Sequence, residues 1–469
     1  MANRRCYTNV FALMPEVPND NRSILPTEQR QRGQTLMIRT AVSNSVLNEL
    51  TKGNIGQVFI LSLGATPWHI GLQATLNRLA PLAQIAGLPV VLRTGKSRLA
   101  SGGYVAVLLP LACLVAVAFG YEIIPPTVAI FAGIAAYAGM SYTGSFANTS
   151  WWPLLQDVTA GEPKGPFFVR MRTRLRTVEL LVPVALSWYI AQADLPWRFV
   201  VPFAIGGVAT LAAAWFMRQV PERPLTVRRT GLLLRMRLAM RVDSVRAYLH
   251  LVWQSFFTEG LVMPFFVVMV RARGLPDGYI VLMGAATAVG HVAGLQMWAR
   301  SVDTHGGRPA LSLTLAGVAL LGLAWLAVPT VSGGATGLSA IWPLLAWSLA
   351  FYLFWGFFRG GFLMGRTQFL LDAIPQRYQT DGFAMIQLAQ ACGGALGALL
   401  GGLVFNWLTV HNTSLFGIDG RALYLAVAQL AMILVWPAKT RLAGHAQQTT
   451  ARSYLAAAWQ HLLRRQERA

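Results

Sequence analysis

Charged side chains are scarce in this sequence. They make up 12% of the 469 residues, whereas a soluble domain carries about a quarter. Cysteine is scarcer still: Cys6, Cys113 and Cys392 lie far apart, without the CxxC or Cys/His spacing of a zinc or redox site. No GxxxxGK(S/T) phosphate loop is present, so ATP is not expected to drive the protein directly. We therefore expect neither a metal nor a cofactor, and the composition excludes an ordinary soluble domain.

Apolar residues make up 55% of the chain and recur in long runs. A helix of about 20 residues crosses the roughly 30 Å of bilayer hydrocarbon, and a single soluble core cannot absorb so many runs of that length. The runs, taken between charges and turn residues, predict an all-α integral membrane protein with twelve transmembrane helices. The predicted spans are 40–62, 69–91, 101–120, 125–150, 176–194, 197–217, 249–270, 278–299, 309–329, 341–364, 383–408 and 420–438.

Basic residues indicate how the spans are oriented. The formal net charge is +21, but the basic residues lie between the apolar runs rather than on one binding face, so no nucleic-acid partner is expected. The loops after the even-numbered spans hold most of them, whereas the loops after the odd-numbered spans hold only Arg198, Arg271, Arg273 and Arg421. Because cytosolic loops are enriched in Lys and Arg, both termini are predicted to lie in the cytosol, with the spans in the cytoplasmic (inner) membrane of a bacterium.

The longest central connection divides the chain into two groups of six spans. It carries Arg228 and Arg229 beside a series of leucine and methionine residues, a pattern typical of a basic amphipathic helix on the membrane surface. The predicted organisation is a flexible cytosolic N-terminal tail (1–35), an N-terminal six-helix bundle (36–217), a cytosolic amphipathic linker (218–248), a C-terminal six-helix bundle (249–438) and a cytosolic C-terminal tail with an amphipathic helix (439–469).

The two groups of spans are related by an internal repeat. At an offset of about 210 residues, four residues fall on identical residues at the same place in the predicted topology: Glu49 on Glu259, Gly64 on Gly274, Ile70 on Ile280 and Arg98 on Arg308. Further along, the stretch 152–157 after the fourth span resembles the stretch 368–372 after the tenth. The repeat predicts two pseudo-symmetric six-helix bundles.

With these features, the chain resembles the major facilitator superfamily along nearly its whole length. A signature of that family, G-x-x-x-D-R-x-G-R-R, lies between the second and third helices and recurs between the eighth and ninth. Here the first copy supplies Arg93, Gly95, Lys96 and Arg98, and the second supplies Asp303, Gly306 and Arg308. Leu92 stands where the first aspartate is expected, so the resemblance implies that a cytosolic latch between the halves rests on Asp303 and Arg308.

The subfamily is not assigned by sequence marks. The fourth span has no membrane arginine and the fifth has no G-x-x-x-G-P run, two features that proton-coupled drug exporters of this family usually carry. Sugar-porter signatures are absent as well. The substrate and the direction of transport are therefore left open.

Ionisable residues within the spans are the best pointers to a transport pathway, because each costs at least about 2.5 to 3.5 kcal/mol to insert. The candidates for a substrate or proton pathway are Asn44, Asn48, Glu49, Lys52, Arg78, Glu259, His291 and Arg359. Asn44, Asn48 and Lys52 recur at four-residue spacing, which places them on one helix face. Our sharpest hypothesis is that Glu49 and Glu259 face each other across a central cavity and carry coupling or substrate contact.

Each candidate also has a structural interpretation. Glu49 and Lys52 can form a pair within one helix, Arg78 and Arg359 can bridge helices, and a lone histidine such as His291 more often makes one hydrogen bond than passes protons.

The function that the pattern favours is secondary active transport. A small solute would cross by alternating access, with protons as the candidate coupling ion. The alternative is a non-transporting assembly factor or receptor of the same fold, which would have a cavity plugged by bulky apolar side chains. An integral membrane enzyme would need a metal, histidine or nucleophile constellation that the sequence lacks. The expected partners are a small-molecule substrate, protons and the lipid bilayer, and the expected state is a monomer.

Overall fold

The computed structural model describes residues 25–161, 164–192, 196–223, 240, 243–305, 307–331, 338–373, 379–415 and 417–435. Within these residues the chain is helical almost throughout, apart from one short antiparallel hairpin of β1 (Ser414–Leu415) and β2 (Ile418–Asp419). The α-helices are α1 (Thr27–Thr51), α2 (Gly53–Ser62), α3 (Pro67–Leu79), α4 (Ala83–Thr94), α5 (Lys96–Phe119), α6 (Pro126–Asn148), α7 (Trp151–Thr159), α8 (Lys164–Ile190), α9 (Val200–Arg218), α10 (Asp243–Val262), α11 (Phe265–Ala272), α12 (Asp277–His305), α13 (Gly307–Leu321), α14 (Leu338–Ala373), α15 (Gln379–Val410) and α16 (Gly420–Leu430).

Helices occupy each of the predicted spans, and the protein is a multi-pass membrane protein. Seven helices of the described chain are long and apolar enough to cross a bilayer by length and composition: Lys96–Phe119, Pro196–Arg218, Val245–Ala272, Asp277–Val302, Pro309–Ala327, Ser339–Arg366 and Met385–Val410. The remaining predicted spans are interrupted, shorter or more polar, so the number twelve remains a prediction.

The boundary of the N-terminal tail differs from the prediction. The helix α1 begins at Thr27, inside the predicted flexible tail. Its first turns are held by the chain that follows the fourth span, since Arg30 donates to the Ala160 carbonyl at 2.6 Å and Gln34 to the Val158 carbonyl at 3.1 Å. The amphipathic helices predicted in the central linker and the C-terminal tail fall largely or wholly outside the described residues.

The internal repeat is visible in backbone hydrogen bonds. The helices α2 and α11 end at Ser62 and Ala272, and the next helices begin at Pro67 and Asp277. Between them Gly64 and Gly274 adopt positive φ values of 90° and 95°. Each glycine N–H binds the carbonyl three residues earlier, and the following N–H binds the carbonyl five residues earlier, as at a helix end closed by a left-handed residue. The two halves therefore share their geometry at an offset of 210 residues.

The first predicted span of each half is interrupted at an equivalent point. Lys52 is extended (φ −112°, ψ −172°) and Gly53 has a φ of 64°, which separates α1 from α2. In the second half Met263 and Pro264 separate α10 from α11, as expected because proline lacks the N–H that would continue the helix. With ten residues in α2, the first break lies about 15 Å from the Ser62 end of the helix, which is half of the roughly 30 Å of bilayer hydrocarbon.

Close helix packing joins the two halves. The helix α3 packs against α15, and α8 packs against α12. A Cβ added at Gly71 would lie 2.7 Å from the Gly402 Cα atom, so small residues allow the backbones to approach. The helix α2 also contacts α11 and α12, so the breaks in α1–α2 and α10–α11 lie beside the boundary between the halves.

Candidate transport site

A central cavity of about 510 Å³ lies between the two halves. Both breaks open onto it, since Lys52, Gly53, Met263 and Pro264 are among its lining residues. Further lining comes from α3, α6, α8, α12 and α14. Of the candidates predicted from the sequence, the cavity brings together Asn48, Glu49, Lys52, Arg78 and His291, whereas Asn44, Glu259 and Arg359 are not part of the lining.

The side chains of Glu49 and Lys52 both reach the cavity without partners. Within the described residues neither forms an ion pair or a side-chain hydrogen bond, although Glu49 interacts electrostatically with Glu179 and Arg176. Arg176 and Glu179 form an ion pair with each other. Because the helix ends at Thr51, Lys52 leaves the helical path that would carry it back toward Glu49. The intrahelical pair that offered a structural interpretation is thus not formed.

Glu259 lies in a different environment. It is buried, and its carboxylate is 2.8 Å from Arg359 of α14 and 3.9 Å from Arg78 of α3. We name Arg78, Glu259 and Arg359 the arginine–glutamate cluster. Since Arg78 belongs to the N-terminal half, the cluster is an electrostatic bridge between the halves. The two glutamates therefore do not face each other across the cavity, and the bridging interpretation of Arg78 and Arg359 matches the geometry.

His291 and two tyrosines present buried polar atoms without partners. The Nε2 atom of His291 and the hydroxyls of Tyr137 and Tyr352 are buried and have no hydrogen-bond partner among the described residues, and all three residues line the cavity. Buried polar groups are normally satisfied. Such atoms at a cavity indicate water or a ligand.

Neither tyrosine is among the site residues that the sequence predicts. They belong to the fourth and tenth predicted spans and are 215 residues apart, close to the offset that relates the stretches 152–157 and 368–372 that follow those spans. That relation was a usable signal, but a tyrosine in an apolar span looks like ordinary core until its hydroxyl is seen to lack a partner.

The first copy of the predicted latch loop contacts its own half. Lys96 forms an ion pair with Asp157 of α7, and Glu222 accepts hydrogen bonds from the N–H groups of Lys96 and Ser97. Asp157 also accepts from the Arg223 N–H. These bonds secure the start of the central linker, while Arg93 and Arg98 are exposed. In the second copy, Gly306 and the side chains of Asp303 and Arg308 lie outside the described residues, so the latch stays a prediction.

An ion pair joins the halves on the side that the topology assigns to the outside. Arg198, which is buried, donates to the Asp277 carboxylate at 2.5 Å, and Arg271 donates to the same carboxylate at 2.9 Å. The Asn54 amide of α2 donates to the Ile280 carbonyl of α12 at 3.1 Å. We name Arg198, Asp277 and Arg271 the outer ion cluster. It joins the N-terminal half to the C-terminal half on this side.

The described residues contain no group of three His, Cys, Asp or Glu side chains that could hold a metal ion.

Comparisons with known proteins agree with this architecture. The family profile described as Major Facilitator Superfamily matches residues 249–468. Solved structures with the same fold include the nucleoside transporter NupG (TM-score 0.59, 14% identity, 89% of this chain and 99% of that chain) and a bacterial homologue of the iron transporter ferroportin in an inward-facing state (0.57, 13%, 88% and 98%). The C-terminal half of the chain therefore matches the major facilitator superfamily, and the whole chain shares the fold of these transporters. The proteins named in these comparisons are transporters.

A curated relative matches part of the chain. The multi-drug resistance efflux pump PmrA homolog of Lactococcus lactis subsp. lactis (strain IL1403) is 28% identical over 190 residues, which cover 38% of this chain and 42% of the relative. The match therefore covers less than half of that relative's length.

Proposed function

We propose that this chain is a secondary transporter that moves a small solute across the bacterial inner membrane by alternating access. In this proposal the chain has twelve spans, both termini are cytosolic and a monomer is the working unit. The observation that carries it is the cavity between two repeat-related halves, which lies at the level of two helix breaks near the middle of the bilayer. Broken helices that meet at such a depth are typical of transporter binding sites.

The alternative of a non-transporting receptor or assembly factor predicts a plugged cavity. The central space is instead lined by polar groups from both halves, among them Gln57, Gln73, Asn77, Ser141 and Thr287. Polar lining at membrane depth is tolerated where it serves a water-filled or ligand-filled space. The geometry thus supports transport.

The two glutamates have different roles in this proposal. Glu259 is a fixed charge, because Arg78 and Arg359 hold its carboxylate. Glu49 is the coupling residue, because its carboxylate reaches the cavity unpaired. The charged and titratable groups around Glu49 are Lys52 in the same predicted span, Arg176 and Glu179 of α8, and His291 of α12. Protonation of Glu49 removes one of the two negative charges of the cavity lining, and so changes the preference of the cavity for a charged solute.

Labelling of a cysteine in the cavity tests the proposal. In a protein whose Cys6, Cys113 and Cys392 are replaced by serine, we place a cysteine at the cavity-lining Gln57, with Leu114→Cys in the core of the N-terminal half as the matched control. A membrane-impermeant thiol reagent is added separately from each side of sealed vesicles. Alternating access predicts labelling at position 57 from both sides and from neither at position 114. Labelling from one side only, with and without a pH gradient, contradicts the proposal.

A further inference from the structure

We propose that the break between α1 and α2 is a binding site for the carboxylate group of an organic substrate, an inference that rests on the proposed transport function. The site consists of Lys52, the N–H groups of the first turn of α2, and the Tyr137 hydroxyl. We name these groups the carboxylate site.

The first turn of α2 offers free donors. A helix leaves its first N–H groups without partners inside the helix, and no side chain caps α2. These N–H groups and the positive end of the helix dipole attract an anion. Gly53, Asn54 and Ile55 line the cavity, so a substrate in the cavity reaches this turn.

Two side chains at the break independently require a partner. Lys52 reaches the cavity without an ion pair in the described part of the chain, and an unpaired ammonium at membrane depth is costly. Tyr137 is 1% exposed and its hydroxyl has no partner. A Cβ added at Gly56 would lie 3.3 Å from the Tyr137 Cζ atom, so the hydroxyl-bearing end of the ring lies against the first turn of α2. An anion at this turn would satisfy both side chains.

The charges of the cavity favour an anion with a single charge. Three basic residues line it, Lys52, Arg78 and Arg176, against the two acids Glu49 and Glu179. Arg176 is paired with Glu179, and Arg78 with Glu259 outside the lining. Among the described residues, Lys52 is therefore the basic residue of this lining that has no ion-pair partner. When Glu259 and Arg359 are counted with the lining, four basic residues stand against three acids. This excess of one positive charge matches a carboxylate better than a doubly charged phosphate, and protonation of Glu49 would strengthen the preference for an anion.

The second half supplies an apolar wall instead of a second anion site. In the second half, the residue before the helix α11 is Pro264, which has no N–H to donate. The ring of Phe266 in the next turn packs against Trp325, Phe351 and Trp355 at centroid distances of 5.0 to 5.2 Å. Phe266, Tyr352 and Trp355 line the cavity. The substrate class is thus a small monocarboxylate whose apolar or aromatic body packs on these rings.

Binding to the purified full-length protein tests the carboxylate site. The probes are matched sets that share one body: 3-phenylpropanoate with 3-phenylpropanamide and phenethyl phosphate, and octanoate with octanamide and heptyl phosphate. Binding raises the thermal stability of the folded state. We expect at least one carboxylate to bind about tenfold or more tightly than its amide, because an unpaired buried charge strongly disfavours a neutral group, and more tightly than its phosphate.

Two variants test whether Lys52 and Tyr137 produce the preference for the carboxylate. Lys52→Gln is expected to remove the preference for the carboxylate over the amide, and Tyr137→Phe to weaken carboxylate binding severalfold. Tyr104→Phe is the matched control, since Tyr104 is buried in the same half but is not part of the cavity lining. A preference that survives Lys52→Gln, or that Tyr104→Phe reduces as much as Tyr137→Phe, overturns the assignment of the site.

The comparison of probes on the unmodified protein does not depend on the stability of a variant. Amides or phosphates that bind as well as the carboxylates, or the absence of a carboxylate preference in both sets, overturn the inference. The labelling assay at position 57 separates this failure from that of the proposed function. Labelling from both sides without carboxylate preference leaves transport standing and removes the carboxylate site, whereas labelling from one side only removes the transport function itself.

Discussion

Glu49 and Glu259 occupy equivalent positions in the two halves, yet their surroundings differ. Sequence identifies both as costly charges within spans, and that much of the site can be predicted from residue type. It cannot show that Arg78 and Arg359, far away in the chain, converge on Glu259 alone. Residue type also gave no sign of Tyr137 and Tyr352, whose relevance depends on hydroxyls that lack partners.

The difference between the glutamates predicts different effects of their substitution on stability. Glu259→Gln leaves two arginines short of a counter-charge and should lower the free energy of unfolding by about 3 kcal/mol, the lower end for a buried pair because Arg359 is partly exposed. Glu49→Gln removes an unpaired charge, so stability should stay unchanged or rise. Melting of both purified variants at one pH checks this. Equal losses of stability in the two variants would show that Glu49 also forms an ion pair that stabilises the fold.

Asp419 gives a pH dependence outside the spans. Burial raises the pKa of this carboxyl. Hydrogen bonds from the Arg421 side chain and backbone, together with the charges of Arg421 and Arg273, lower the pKa by more than burial raises it, so the pKa lies below its usual 3.8. The ionised form therefore stabilises the fold above pH 3.8, and the contribution is lost as the pH falls through the lowered pKa. We expect the advantage in melting temperature over Asp419→Asn to be constant from pH 7 to about pH 5 and to shrink below pH 3.8. An advantage that grows on acidification contradicts the assignment.

At the scale of helices, the apolar runs predicted the spans but not the breaks within the first span of each half. Hydropathy treats 40–62 and 249–270 as continuous spans. Gly53 and Pro264 lie at nearly the same repeat position, and this pair was a readable signal for a binding site. Glycine and proline also occur within unbroken membrane helices, so the extended backbone at Lys52 could be established only from the structure.

Helix contacts give a prediction that separates crowding from helix propensity. In α12, a Cβ at Gly290 would overlap the Leu353 carbonyl of α14, whereas a Cβ at Gly144 in α6 has no atom within 4 Å. Gly290→Ala should therefore cost about 1–3 kcal/mol through overpacking. The matched control Gly144→Ala should be neutral or stabilising by up to about 1 kcal/mol. Thermal melting measures both, and a neutral Gly290→Ala would show that α12 and α14 are not in close contact.

At the scale of the whole molecule, the repeat predicted two related halves and the charge bias predicted their orientation, but neither predicted the ion pairs that join the halves. The outer ion cluster joins Arg198 of the first half to Asp277 of the second. Sequence analysis used Arg198 and Arg271 only to orient the loops, because a charge count does not show which acid lies opposite. The predicted latch at Asp303 and Arg308 concerns the cytosolic side and stays a prediction.

Weakening the outer ion cluster should open the outer side. Asp277→Asn removes the charge that holds Arg198 and Arg271, so the state closed to the outside loses stability relative to the open one. A cysteine at position 57 should then react severalfold faster with an impermeant reagent added from outside. Asp419→Asn is the matched control, since it breaks outer ion pairs within the second half only. Equal acceleration in both variants would show that the cluster is not a closure between the halves.

The distance between spin labels at the two ends of the molecule tests alternating access most directly. One pair, Glu122→Cys with Leu415→Cys, spans the outer ends of the two halves, and another, Thr94→Cys with Arg300→Cys, spans the cytosolic ends; all four residues are exposed. The distances are measured in bilayers at pH 7.5 and pH 5.5. We expect two conformations, one with a longer distance between the outer labels and a shorter distance between the cytosolic labels than the other. The ratio of the two conformations should change with pH. Distances that stay fixed at both ends, or that change in the same direction, would contradict the account of two halves rocking about the central cavity.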